Sequence, residues 1–413
     1  MQLAASILLI GGLVFLAHLF EAVFSRTRIP DVLWLLLIGV VLGPVTHRLS
    51  PAKFGVVGPA FVSITLVLIL FESGLSLQWE RLRRALPGTL ALSSASFLGE
   101  AAVVALAAWR LAGLPPFLAG LLGVIVAGNS PTVIVPLAKG LGMGTRTRDI
   151  LFLESAFGDV VSIVLALALL DLQMNGWARW PLTALHFVLG FGGALLLGAA
   201  AGVAWSLALR KTRGLANPMF TTPAFVFVVY GAAELLRANG AIAVLALGIM
   251  LGNVENTPLV RDSLPAVSLN RAETVFLGEI VFLLKTFFFV YIGLSVQFAD
   301  LHWLLLGGLL AVLLVLPRMG AVRLTLARTA PPRDAALAAC MVPKGLAAAI
   351  LAELLVQQQV PGAAAMQSVI YGAIFFGVLV TSALVVFAGR RWGARLFQRL
   401  LGTPAPAPAP TQT

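Results

Sequence analysis

Charge is scarce in this chain of 413 residues. Asp, Glu, Lys and Arg together make up 11% of it, against about 25% in a soluble domain. That excludes a sizeable soluble domain. Cysteine is almost absent: Cys340 is the single one, and it lies in an apolar run, so no disulfide framework exists. No Gly-x-x-x-x-Gly-Lys-Ser/Thr stretch occurs, which argues against dependence on ATP. The first apolar run lacks a basic leader and outlasts a signal-peptide core of about 7–15 residues. It is read as a retained helix.

What the chain has is apolar length. It is 60% hydrophobic, with a mean hydropathy of +0.99. Apolar runs long enough to cross a hydrocarbon core of roughly 30 Å recur from end to end. The expected fold class is an all-α polytopic membrane protein. Thirteen spans are expected, at 3–24, 30–47, 56–78, 85–109, 115–138, 150–171, 181–209, 219–237, 239–254, 272–298, 302–327, 334–357 and 364–389. Residues 1–400 read as one transmembrane unit and 401–413 as a disordered Pro/Ala-rich tail.

The net charge of +11 reads as membrane topology rather than nucleic-acid binding. Nineteen of the 28 basic residues fall in loops on one side, including Arg26, Arg81, Arg148, Arg213, Arg271, Arg333 and Arg395. Five fall on the other side: Arg48, Lys53, Arg110, Arg179 and Arg237. By the positive-inside rule the N-terminus faces out and the C-terminus faces the cytoplasm.

The chain also repeats itself. "IGVVLGPV" (38–45) and "LGIMLGNV" (247–254) share Gly-x-x-x-Gly-x-Val, and "FESGLSL" (71–77) and "VYIGLSV" (290–296) share Gly-Leu-Ser. "GNSPT" (128–132) and "VPKG" (342–345) each break a helix. Each pair lies seven spans apart, and an odd offset inverts direction across the membrane. Inverted repeats with paired broken helices mark secondary transporters, whose site lies near the bilayer midplane.

Ionisable groups inside spans cost at least about 2.5–3.5 kcal/mol on insertion scales, so each needs a reason. Glu154 and Asp159 lie in one span. Ser155 and Asp159 are i, i+4 neighbours, as are Glu154 and Gly158, so the two acids occupy adjacent faces. Asp159 is the candidate ion and proton site, with Ser155, Ser130 and Asn129 as further oxygen donors to a monovalent cation; the alternative is a structural acid. Pro131 removes a backbone donor and disfavours helix at Ser130; the alternative there is an ordinary kink. Lys344, between Pro343 and Gly345, can compensate half-helix C-terminal dipoles, or else snorkel to the membrane surface. Arg318 stays charged and needs a partner; Glu154 is the choice, with snorkelling again the alternative. Glu72 is a candidate for the water-filled approach. Lys285, Glu279, Glu100, Glu21 and Glu353 receive no role.

The ordered motifs "RIPDVLWLLLIGVVLGP", "FESGLSL", "GNSPTVIVPLAKGLG", "LESAFGDVVSIV", "FFFVYIGLSV" and "VPKGLAAAILAE" resemble those of monovalent cation/proton antiporters, in particular the NhaP-like branch of the cation–proton antiporter superfamily. The resemblance covers about residues 5–390. It implies a thirteen-helix homodimer with a six-helix core domain, including 85–171 and 302–389, and two crossed, broken helices. It also implies that Asp159 binds cation and proton alternately and that Glu154 pairs with Arg318. Two motifs depart from the family pattern. Asn129-Ser130-Pro131 stands where Thr-Asp-Pro is usual, and Gly158-Asp159 where Asn-Asp is usual. Lysine also stands at 344 where arginine is frequent.

The reading is a secondary antiporter, not an enzyme, in the cytoplasmic membrane. It exchanges Na⁺, or K⁺ or Li⁺, for protons. Its partners are the cation, the proton, membrane lipid and a second copy of the chain; no cofactor and no nucleic acid are expected. The rival readings are a channel-like potassium efflux pathway, a sodium-coupled organic solute symporter and a membrane sensor that has lost transport.

Overall fold

The computed structural model describes residues 2–27, 31–47, 49, 57–175, 180–214, 218–236, 238–256, 267–296 and 301–402. Among them every regular element is helical, as apolar spans require in lipid, where backbone groups must be satisfied within the segment. The helices are α1 (Gln2–Thr27), α2 (Asp31–Val40), α3 (Val57–Ser76), α4 (Trp79–Ala112), α5 (Pro116–Ala127), α6 (Pro131–Gly140), α7 (Thr145–Asn175), α8 (Trp180–Thr212) and α9 (Thr221–Leu235). They continue with α10 (Gly240–Asn253), α11 (Arg271–Ser295), α12 (Leu301–Leu313), α13 (Val315–Thr325), α14 (Pro332–Ala339), α15 (Leu346–Gln357), α16 (Ala363–Ala388) and α17 (Arg391–Leu401).

A helix occupies each expected segment, and three of the segments are split: 302–327 is α12 and α13, parted by a turn at Leu314, and the other two carry longer breaks. Span 115–138 is α5 and α6 with an extended break at Gly128–Ser130, and span 334–357 is α14 and α15 with a break from Met341 to Gly345. Eight described helical segments are long and apolar enough to cross a membrane; five shorter apolar helices accompany them. Helix α17 lies beyond the last expected span. Of the tail expected to be disordered, 403–413 lies outside the described residues.

The chain forms two compact units: 1–50, 85–166 and 290–413 in the first, 51–84 and 167–289 in the second. In the first, α12 packs along α16, and α5 meets α15 and α16. In the second, α10 packs against both α3 and α8. The repeated glycines make the closest approaches. A Cβ on Gly39 would lie 2.7 Å from the Cα of Gly293, and one on Gly293 would lie 2.8 Å from the Cα of Gly39. In the second unit, a Cβ on either Gly74 or Gly248 would lie 3.1 Å from the other's Cα. Side chains cannot be tolerated at such distances, so backbone touches backbone, as in small-residue helix interfaces of membranes.

Candidate functional site

The site is built where the two broken helices cross, in the first unit. Helix α5 stops at Ala127, and Gly128 (φ −66°, ψ 139°) and Ser130 (φ −76°, ψ 113°) are extended. Pro131 then opens α6, where its missing N–H would have no intrahelical partner anyway. The Ser130 N–H donates to the Pro343 carbonyl at 2.8 Å, so one break hydrogen-bonds directly to the other. Gly345, the N-cap of α15, lies so close to the Ser130 side chain that a Cβ there would collide with it. The Val342 N–H is held by Thr381 Oγ1 of α16 at 3.2 Å. The unwound backbone is thus partly satisfied by the opposite break and by α16.

A polar network spans this crossing. Arg318 of α13, fully buried, donates from both terminal nitrogens to Glu154 of α7, at 2.9 and 3.2 Å. The same Arg318 also reaches Ser96 Oγ at 3.0 Å and, through Nε, the Ala338 carbonyl at 3.1 Å. Lys344, also fully buried, forms an ion pair with Glu100 of α4 and donates to Asn129 Oδ1 at 2.8 Å. The Asn129 amide nitrogen faces Glu100 at 3.3 Å and Glu154 at 3.2 Å. An ammonium on its oxygen side and two carboxylates on its nitrogen side fix the amide's orientation. Ser96 Oγ closes the circuit by donating to Glu100 at 2.7 Å. The network therefore holds two cations and two anions, which cancel.

Asp159 is a fifth charge. It is half-buried on α7. A Cβ on Gly128 would lie 3.4 Å from its Oδ1, so the carboxylate abuts the break in the first of the two helices. Gly158 faces the same break: a Cβ there would lie 3.6 Å from the Asn129 nitrogen. Among the described residues the Asp159 carboxylate accepts no hydrogen bond, whereas Ser155 Oγ donates to the Phe152 carbonyl at 2.9 Å and Ser130 Oγ shares a bond with Thr132 Oγ1 at 2.8 Å.

The structure thus brings Glu154, Arg318, Lys344 and Asn129 into one network and sets Asp159 beside Gly128. The Asn129 oxygen accepts from Lys344, and Lys344 faces a carboxylate. Glu72 lies in the second unit, where Lys285 approaches it at 3.3 Å, and both remain partly exposed. Sequence reasoning missed Glu100 and Ser96. Their signal was available: an acid in an apolar run with a serine four residues before it, on the same helical face.

Comparison with known proteins now decides the family. A family model described as sodium/hydrogen exchanger, transmembrane, matches residues 12–389. The chain belongs to the sodium/hydrogen exchanger family. It is a secondary monovalent cation/proton antiporter. The Na(+)/H(+) antiporter NhaH of Halobacillus dabanensis is 22% identical over 306 residues, covering 71% of this chain and 75% of that protein. The K(+)/H(+) antiporter NhaP of Alkalimonas amylolytica is 27% identical over 256 residues, covering 60% of this chain and 44% of that protein. In fold the chain is similar to the sodium proton antiporter MjNhaP1 from Methanocaldococcus jannaschii, with a TM-score of 0.73 and 21% identity over 97% of this chain and 100% of that one.

Proposed function

We propose that exchange proceeds by competition of one cation and one proton for Asp159. The observation that carries this reading is the charge count. Arg318 and Lys344 are matched by Glu154 and Glu100, which leaves Asp159 as the one unmatched charge of the five. A bare carboxylate in a span is costly, because burial disfavours its charged form. A proton relieves that cost, and so does a monovalent cation. The two cannot occupy Asp159 together, so each bound state is neutral and each visit by one ion excludes the other. That exclusion couples the flows in a ratio of one to one.

The cation's remaining ligands come from Ser155, Ser130, the carbonyls of the break and water. Asn129 serves instead as the polar bridge that holds the break against both carboxylates. The named relatives include sodium and potassium antiporters, so Na⁺, K⁺ and Li⁺ are all candidates. The remaining parts of the reading are a homodimer in the cytoplasmic membrane, the N-terminus outside and the C-terminus in the cytoplasm.

Proteoliposomes with an imposed pH gradient and clamped potential test this reading, with each cation added in turn. Wild-type protein is expected to move protons on cation addition, with a cation KM that rises as pH falls. Asp159→Asn, which keeps the shape and loses the charge, is expected to fold and to move none. Proton exchange surviving in folded Asp159→Asn would sink the mechanism.

A further inference from the structure

We propose that α17 is a bilayer-surface helix whose exposed face binds anionic phospholipid. The chain breaks after α16: Arg390 is extended (φ −86°, ψ 150°) before α17 begins. Helix α17 then folds back across the end of α16. A Cβ on Gly393 would lie 2.7 Å from the Phe387 carbonyl carbon, and the Phe387 and Phe397 rings pack edge to face, with centroids 6.5 Å apart. Its inner side also meets α13 and α14, and Arg323 of α13 donates to the Leu400 carbonyl at 3.1 Å.

At about 100° per residue, the residues of α17 fall into three sectors. Gly393, Phe397 and Leu401 face the protein and are buried. Trp392, Leu396 and Leu400, four residues apart, form a second apolar stripe that the protein leaves open, at 86%, 47% and 44% exposure. Arg395 and Arg399 are exposed on the flank of that stripe, and Arg390 is exposed at the helix start. Residues 389–402 contain no acid.

The occupant of the open stripe follows from position and charge. Helix α16 is long and apolar enough to cross the membrane, so a helix folded across its end lies at the bilayer surface. An apolar stripe carrying tryptophan, flanked by arginine, suits the boundary between acyl chains and head groups. Arginine prefers phosphate oxygens as partners, and a flank with no acid prefers a lipid of net negative charge. Through its contact with α14, the helix sets bound lipid against the half-helix that leads to Lys344.

The test uses the full-length protein. Cys340 is buried, so a cysteine introduced at Leu396→Cys takes a nitroxide label. In vesicles of phosphatidylcholine with phosphatidylglycerol, the label is expected to be more accessible to oxygen than to a water-soluble nickel chelate. In detergent, adding phosphatidylglycerol is expected to raise the thermal midpoint of wild type. The double variant Arg395→Gln/Arg399→Gln should need roughly 25-fold more of the lipid, about five-fold for each arginine. A label favoured by nickel, or shielded from both reagents by a second copy of the chain, would overturn the proposal. So would equal lipid titrations for the double variant and wild type.

Discussion

Glu100→Gln tests whether the second ion pair organises the crossing of the broken helices. Glu100 and Lys344 side chains are both fully buried. The carboxylate also takes hydrogen bonds from Ser96 Oγ and the Asn129 amide, at 2.7 and 3.3 Å. Glutamine keeps the shape but leaves Lys344 with neutral acceptors alone. Stranding one charge of a buried pair costs about 3–5 kcal/mol. A retained hydrogen bond offsets about 0.5–1.5 kcal/mol of that. The net loss should be about 2–4 kcal/mol. Lys344→Met should cost a similar amount by stranding Glu100. The double variant Glu100→Gln/Lys344→Met strands nothing, so it should be more stable than the sum of the single effects by about 2 kcal/mol, within the range for contacting residues. Unfolding of the purified protein in micelles, followed by tryptophan fluorescence, measures all three. Additive single effects would show that the two charges do not depend on each other. Glu100→Gln also leaves one surplus positive charge near Asp159, so its cation KM should rise even where the protein stays folded.

The first pair makes a parallel prediction. Glu154→Ala or Arg318→Ala should each lower yield and thermal stability by about 3–5 kcal/mol, and replacing both by apolar residues should recover part of the loss; no recovery would argue against pairing. Gly345→Ala pushes a methyl group into the Ser130 side chain at the crossing. It should impair exchange more than stability; normal exchange in the variant would mean that the crossing tolerates widening.

Much of this was legible because bilayers impose strong patterns. Apolar runs marked the segments, and Pro131 and Pro343 marked two breaks, since proline removes a backbone donor. Arg318 in an apolar run demanded an acid, and Glu154 stood out as one. Glu100 carried the same signal, but its partner Lys344 lies 244 residues away. Two buried acids and two buried bases admit two pairings, and sequence spacing cannot choose between them. Nor does anything in the sequence show that Asn129 has an ammonium at its oxygen and carboxylates at its nitrogen. Helix α17 was passed over for another reason. Its arginines were counted as loop charges, while the i, i+4 spacing of Trp392, Leu396 and Leu400 went unread.

The repeated glycines show why an inverted repeat is more than an echo. Each half of the chain supplies one Gly-x-x-x-Gly helix and one Gly-Leu-Ser helix. A simple duplication would allow each half to close its own seam, with Gly39 against Gly74 and Gly248 against Gly293. The structure does the opposite. Gly39 meets Gly293, and Gly74 meets Gly248. Each seam joins one half to the other, so neither half can bury its glycine face alone. The breaks obey the same rule, since Ser130 of the first half hydrogen-bonds to Pro343 of the second. Each compact unit therefore draws helices from both halves. The charges follow suit: Glu100 and Glu154 come from the first half, Lys344 and Arg318 from the second. Neither half is neutral on its own, and only their crossing leaves Asp159 as the one charge still to be matched.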